Sequence, residues 1–206
     1  MPIFEICGRP LSGWGVAIKV VEDYVLASIA ILLLLPALGF IALAVKLDSP
    51  GPVIFRQARL GWGGKRFHIW KFRSMYVHDD HGVVVQASKG DPRVMPIGAF
   101  LRRTHVDELP QVINIFKGDL SVVGPRPEQV AYARQLEERL PFYSARYLVR
   151  PGLTGWAQVK YRYGASEEDA YVKLQYDLHY VRHESLAADL RIIWMTVHHI
   201  IFDGGR

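Results

Sequence analysis

The sequence predicts an α+β chain, mostly helical, with one apolar membrane segment ahead of a polar domain that carries a small β-hairpin. Three observations support this. Tyr24–Val45 gives 22 consecutive residues without a charge. Val53–Gln57 and Arg66–Arg73 have strand character around the turn-forming Gly61-Trp62-Gly63-Gly64. Beyond residue 95, apolar residues recur mostly at helical spacing between Pro and Gly punctuation. The boundary falls near residue 48, giving segments 1–48 and 49–206.

Half of the 206 residues are apolar, enough for a core after some are given to lipid. The net charge of +5 points to anionic partners and by itself leaves nucleic acid, phosphosugars and acidic lipid open. One cysteine, Cys7, excludes an internal disulfide. No zinc spacing occurs, and His78-Asp79-Asp80-His81 reads as a polar loop.

Taken in order, Trp14–Val21 predicts a short interfacial helix. Tyr24–Val45, about 33 Å long as a helix, matches a hydrocarbon core of about 30 Å. Pro36 falls near its middle, where it removes one helical hydrogen bond. A helix that enters, bends and returns, and a kinked helix that spans, both satisfy that pattern. Two basic residues precede the run within twenty positions and four follow it, which places the C-terminal side in the cytoplasm. Ser49 to His78 then holds six basic residues and no acidic one, suiting anionic lipid or substrate phosphate. The glycines at 61–64 satisfy neither G-x-G-x-x-G nor the P-loop pattern, so they are read as a turn.

Ile97–Arg103 predicts a short helix. In Leu101–Gln111, L-R-R-T-H-V-D-E-L-P-Q, Thr104 and Asp107 have capping-box spacing, while Pro110 favours a slightly later start. Either way Asp107 and Glu108 lie near a helix N-terminus, with Gly118 as the stop. The dipole there and Arg102 nearby should keep Asp107 ionised and favour bound phosphate. An Asp-Glu pair before a helix is ordinarily a solvated cap; its company argues for more. Pro125 and Pro127 fix the backbone around Arg126, suiting rigid presentation of a guanidinium to phosphate. Pro127 also reads as the first residue of a helix over Glu128–Leu140. Arg150-Pro151-Gly152 and Gly155-Trp156 form a second rigid loop. Ser166 with Asp169 caps a helix through about Val181. Ser185–Phe202 is a further helix, read equally as core or as lying in the membrane interface.

Lys71–Met75 (K-F-R-S-M), the Asp107-Glu108 stretch, Val122–Glu128 (V-V-G-P-R-P-E) and Val149–Val159 (V-R-P-G-L-T-G-W-A-Q-V) occur here in an order that resembles the bacterial sugar transferase family. The similarity runs from about Tyr24 to Phe202 and is to the small, monotopic members, without the extra N-terminal transmembrane helices of larger ones. It implies a re-entrant helix broken at Pro36, a catalytic domain on the cytoplasmic face of the bacterial inner membrane, and interfacial amphipathic helices. It also implies transfer of a phosphosugar from a UDP-sugar to undecaprenyl phosphate with release of UMP, with membrane lipid but no nucleic acid as partner. By resemblance Asp107 is the nucleophile, forming a covalent phosphosugar-aspartyl intermediate, and Glu108 completes the dyad. Both would ligate Mg²⁺, and Arg102, Arg126, Lys71, Arg73 and Arg150 would bind substrate phosphate. A D-x-D glycosyltransferase is disfavoured, since the chain has no D-x-D. A non-catalytic lipid-binding scaffold explains the basic charge but gives the dyad no reason.

Overall fold

The computed structural model describes residues 11, 13–76, 91–161 and 166–202, so the loop at His78–His81 lies outside the described residues. One helix, α1 (Trp14–Asp48), replaces the expected interfacial helix and separate apolar segment. Continuity through Asp23 has a physical cause. Lys19 and Asp23 stand one helical turn apart and bond to each other at 3.1 Å. Lys19 also reaches Asp189 at 2.6 Å. Asp23 accepts from the Ser121 hydroxyl (2.8 Å) and the Val122 amide (2.9 Å). These buried polar residues therefore anchor the helix instead of interrupting it. The helix assignment also runs through Pro36, which is exposed.

The hairpin forms as expected, with its first strand running on to Leu60 and its second ending one residue early at Phe72. Strands β1 (Ile54–Leu60) and β2 (Arg66–Phe72) pair antiparallel, with Phe55 opposite Lys71 and Arg59 opposite Phe67. Trp62–Gly64 is a 3-10 turn in which Gly63 and Gly64 take φ of 63° and 70°, open to glycine at no steric cost. After it come α2 (Pro96–Arg103), with Pro96 in its first turn, and α3 (Val112–Phe116), which Gly118 terminates at φ 77°. Two three-residue strands that the sequence did not suggest, β3 (Ser121–Val123) and β4 (Gly152–Thr154), pair in parallel.

Four more α-helices follow, α4 (Val130–Arg139), α5 (Trp156–Lys160), α6 (Glu167–His183) and α7 (Leu186–Phe202), with a 3-10 segment, Tyr143–Leu148, between α4 and α5. The capping box of α6 is present as read, with Ser166 accepting from the Asp169 amide and Asp169 from the Ser166 amide. Helix α4 starts later than expected, so Pro127 is not its first residue. The Leu60 amide donates to the Glu128 carbonyl and Arg59 bridges to Gln129, which holds 127–129 extended against β1.

Two small clusters join α1 to the rest. Ala27, with Ile31 beside it, packs on Ile69, Val112, Ile115 and Leu120. Val45, with Leu38, Ile41 and Ala42 beside it, packs on Phe72, Met95 and Leu101. Between them Leu32, Leu33, Leu35 and Phe40 are exposed. A third cluster holds Leu60 against α4, Tyr143, Tyr147 and α6. A fourth joins β3 to α6 and α7 through Val123, Tyr180, Val181 and Ile192.

Candidate active site

Asp107 and Glu108 lie in the first turn of a 3-10 segment, Val106–Gln111, that leads directly into α3. The expected Thr104 cap does not form. The Thr104 hydroxyl instead donates back to the Phe100 and Leu101 carbonyls at 2.9 and 3.2 Å, closing α2. His105, left-handed at φ 56°, then redirects the chain. The short 3-10 turns tolerate Pro110, and the segment packs on β2. The dyad is thereby set over the hairpin face that carries Lys71.

The two carboxylates differ sharply. Lys71 Nζ donates to Glu108 Oε1 at 2.6 Å. Arg126 grips both oxygens, Nη1 on Oε2 at 3.2 Å and Nη2 on Oε1. Burial alone would raise the Glu108 carboxyl, but the charges of Arg126 and Lys71 and their hydrogen bonds outweigh it and hold the pKa at about 2. Asp107, equally buried, has no side-chain hydrogen bond or ion pair among the described residues. Burial pushes its carboxyl up; Lys71 opposes this, and the neighbouring Glu108 charge adds to it. Burial thus works against the ionisation that the setting was expected to favour, while the charges of Lys71, His105 and Arg102 support it.

The other cations fall in distinct places. Arg102, half-buried in the last turn of α2, has no ion-pair partner among the described residues, and its charge acts on Asp107. Arg73 does not join the cluster. Its guanidinium is buried against the end of α1, donating to the Val45, Ser49 and Pro50 carbonyls, and so satisfies groups a helix end leaves open. Arg150 lies over the Trp62 ring, 5.9 Å from its centroid, and its charge acts on Glu184 instead of the dyad.

Arg126 owes its position to the two glycine-containing motifs, which pack on each other. A Cβ at Gly124 would sit 2.3 Å from the Arg150 carbonyl oxygen, one at Gly152 would sit 2.1 Å from the Gly124 amide, and one at Gly155 would sit 2.2 Å from the Gly124 carbonyl oxygen. Only residues without a Cβ allow that approach. Sequence reasoning missed Arg59, on the same hairpin face as Lys71. Its guanidinium donates to the Pro127 carbonyl at 3.2 Å and pairs with Glu128. Its one sequence signal is strand alternation, which places Gln57, Arg59 and their partners Ile69 and Phe67 on one face.

An unpaired carboxylate beside one locked by two cations, next to a free arginine, suits chemistry on phosphate. The chain matches the family described as bacterial sugar transferase over residues 14–203 and belongs to it. Two of the relatives it resembles are named for different sugars. It is 47% identical over 96% of its length to the UDP-glucose:undecaprenyl-phosphate glucose-1-phosphate transferase of Escherichia coli (strain K12), of which it covers 43%. It is 42% identical over 87% of its length to the UDP-N-acetylgalactosamine-undecaprenyl-phosphate N-acetylgalactosaminephosphotransferase of Aeromonas hydrophila, of which it covers 42%. A shorter relative, the exopolysaccharide production protein PSS of Rhizobium leguminosarum bv. phaseoli, is 46% identical and covered over 87%. The chain therefore spans about two-fifths of the length of the first two relatives.

The site makes a prediction about acid stability. Glu108 titrates near 2 when folded, below its usual value near 4.5, so its contribution is full above pH 4.5 and lost as pH falls toward 2. That depression corresponds to about 3 kcal/mol. Urea titrations from pH 6 to pH 3 should show a shallower loss of stability in Glu108→Gln than in the parent. Equal slopes would mean that Glu108 is not held as described.

Proposed function

We propose that the chain is a phosphoglycosyl transferase that moves a sugar phosphate from a UDP-sugar to undecaprenyl phosphate. The unpaired Asp107 beside the locked Glu108 is the observation that carries this reading. Asp107 attacks the β-phosphorus of the UDP-sugar; the bond from that phosphorus to the bridging oxygen breaks, and UMP leaves. An oxygen of undecaprenyl phosphate then attacks the phosphorus of the aspartyl phosphosugar, giving the diphosphate-linked sugar and restoring the carboxylate. The partial desolvation that raises Asp107's proton affinity also makes its ionised form the more reactive nucleophile.

Glu108 stays ionised throughout and keeps Lys71 and Arg126 fixed beside the reacting phosphates. Arg102 is free to pair with phosphate oxygens, and Arg126, with 41% of its side chain exposed, presents its outer edge to them. A Mg²⁺ ion fits this donor set. Asp107 has both oxygens unpaired, and Glu108, with three hydrogen bonds accepted, retains one lone-pair site. Among the described residues no three His, Cys, Asp or Glu side chains converge, so substrate phosphates and water would supply its remaining ligands. Bound there, it would withdraw charge from the diphosphate. Two of the relatives named above carry different sugars in their names, glucose and N-acetylgalactosamine, so the donor is sought among several UDP-sugars.

Helix α1 is read as re-entrant, bent at Pro36 with both ends on the cytoplasmic face of the inner membrane. Support comes from its two contacts with one domain, at Ala27 and at Val45, about 27 Å apart along a straight helix. A helix spanning along the bilayer normal would have to carry that domain with it through the hydrocarbon. The exposed side chains Leu32, Leu33, Leu35 and Phe40 are then what enters the lipid. Helix α7 is read as interfacial, since Leu186, Leu190, Trp194 and Val197 form an exposed stripe at helical spacing.

Purified enzyme incubated with undecaprenyl phosphate, Mg²⁺ and each of a panel of UDP-sugars should release UMP with at least one of them. Asp107→Asn should abolish the release, and Glu108→Gln should slow it at least a hundredfold. Release of UDP instead would establish ordinary glycosyl transfer, and no nucleotide release with any sugar would sink the enzymatic reading. For topology, Trp14→Cys and Asp48→Cys, each with Cys7→Ser, should both label from the cytoplasmic side, and a fluorophore at Trp194→Cys should be quenched by a lipid-borne quencher. Periplasmic labelling at position 14 would mean a spanning helix.

A further inference from the structure

We infer that the buried pair Arg146–Asp177 is a positioning device that sets Arg126 on Glu108. The loop bearing Arg126 has no regular secondary structure between β3 and α4, yet four successive carbonyls in it each receive a donor. The Gly152 amide donates to Pro125, Arg146 Nη2 to Arg126 at 2.7 Å, Arg59 Nη1 to Pro127 at 3.2 Å, and the Leu60 amide to Glu128. Three of the four come from the strands on either side or their immediate flank. The fourth, at the residue that matters most, comes from a side chain anchored on another helix.

Arg146 is 6% exposed and makes three hydrogen bonds through its two terminal nitrogens. Nη2 binds both the Arg126 carbonyl and Asp177 Oδ2, the latter at 2.8 Å, while Nη1 binds the Tyr143 hydroxyl. Its guanidinium also lies over the Tyr143 ring, 4.9 Å from the centroid. Asp177, 4% exposed in the middle of α6, faces inward with Ala170, Leu174 and Val181 among its buried helix neighbours. Burial pushes its carboxyl up to about 6 against the pull of Arg146. A buried ion pair is weak support for stability, because desolvation offsets most of its attraction and apolar replacements often fold as well. The geometry shows another use for this one. A lysine in place of Arg146 would pair with Asp177 but lacks the planar fork that joins carboxylate, hydroxyl and main-chain carbonyl. The chain of contact runs Asp177, Arg146, Arg126 main chain, Arg126 guanidinium, Glu108, and it ties α6 to the dyad.

This device rests on the phosphoglycosyl transfer reading only for its kinetic consequence; its structural consequence is independent of it. Asp177→Asn leaves an uncompensated buried guanidinium and is expected to unfold part of the sample. The informative variant is therefore the double replacement Arg146→Met with Asp177→Leu, which removes both charges at similar volume. In full-length protein in lipid nanodiscs, this variant should melt within a few degrees of the parent. The ¹⁵N signals of the Arg126 guanidinium, identified by their loss in Arg126→Lys, should change from separate, slowly exchanging resonances to averaged ones. UMP release should fall at least tenfold in kcat, with KM for the UDP-sugar changed less than threefold. In an Arg126→Lys background the same double replacement should cost less than twofold further, since a device that acts through Arg126 has nothing left to position. Averaged signals in a protein that turns over no UDP-sugar would uphold the device and count against the enzymatic reading. Unchanged Arg126 signals in the folded variant, or full multiplication of the two losses, would overturn the device.

Discussion

Glu108 cannot be ionised at a tenth of its surface exposed unless cations meet it, and two do: Lys71 from the hairpin and Arg126 from the loop after β3. Much of the remaining structure holds those two cations on that one carboxylate. The hairpin register puts Lys71 on the face under the dyad. The left-handed His105 and the tight 3-10 turns deliver Glu108 there, and three glycines let the two loop motifs close around Arg126. With both cations committed to Glu108, Asp107 is left unpaired at the same depth. On the proposed mechanism the nucleophile and its electrostatic frame come from adjacent residues of one peptide, separated by which of them the cations pair with.

Much of this was legible in sequence, for identifiable reasons. The hairpin, the capping box of α6 and the stop at Gly118 are local features, decided by residues a few positions apart. The dyad was visible because the residues around it have a family pattern. Features that depend on distant partners were not visible. Arg73 reads like any other cation of a basic run, and only the fold shows it closing the end of α1. Arg146 and Asp177 lie 31 residues apart with no shared motif. Strands β3 and β4 have three residues each, too few for a periodicity to emerge. Trp14–Val21 looked separate from the apolar run because the charged Lys19, Glu22 and Asp23 interrupt its hydropathy; the partners of Lys19 on α7 and of Asp23 on β3 anchor this part of one continuous helix.

The same buried charges bear on how a long apolar helix and a polar domain form one body. Lys19, Asp23 and Asp189 are each nearly or wholly buried, and they connect the start of α1 to β3 and α7. Removing one partner of such a set typically costs about 3–5 kcal/mol, so the start of the helix is not free to part from the domain. Arg73 secures the other end through carbonyls. In the proposed re-entrant placement, a helix fastened at both ends to the domain that carries the dyad keeps that dyad at a fixed depth relative to the bilayer. For the proposed reaction, between a water-soluble nucleotide sugar and a lipid phosphate, that fixed depth is the useful quantity.

The central claim is that Asp107 forms a covalent bond to the sugar phosphate. It is tested most directly by intact-protein mass spectrometry after rapid mixing of the enzyme with UDP-sugar and Mg²⁺ and no undecaprenyl phosphate. The account predicts a mass increase of one phosphosugar, on the peptide containing Asp107, matched by at most one equivalent of UMP and absent from Asp107→Asn. An adduct that persists in Asp107→Asn, or full turnover with lipid but no adduct at any quench time, would contradict it.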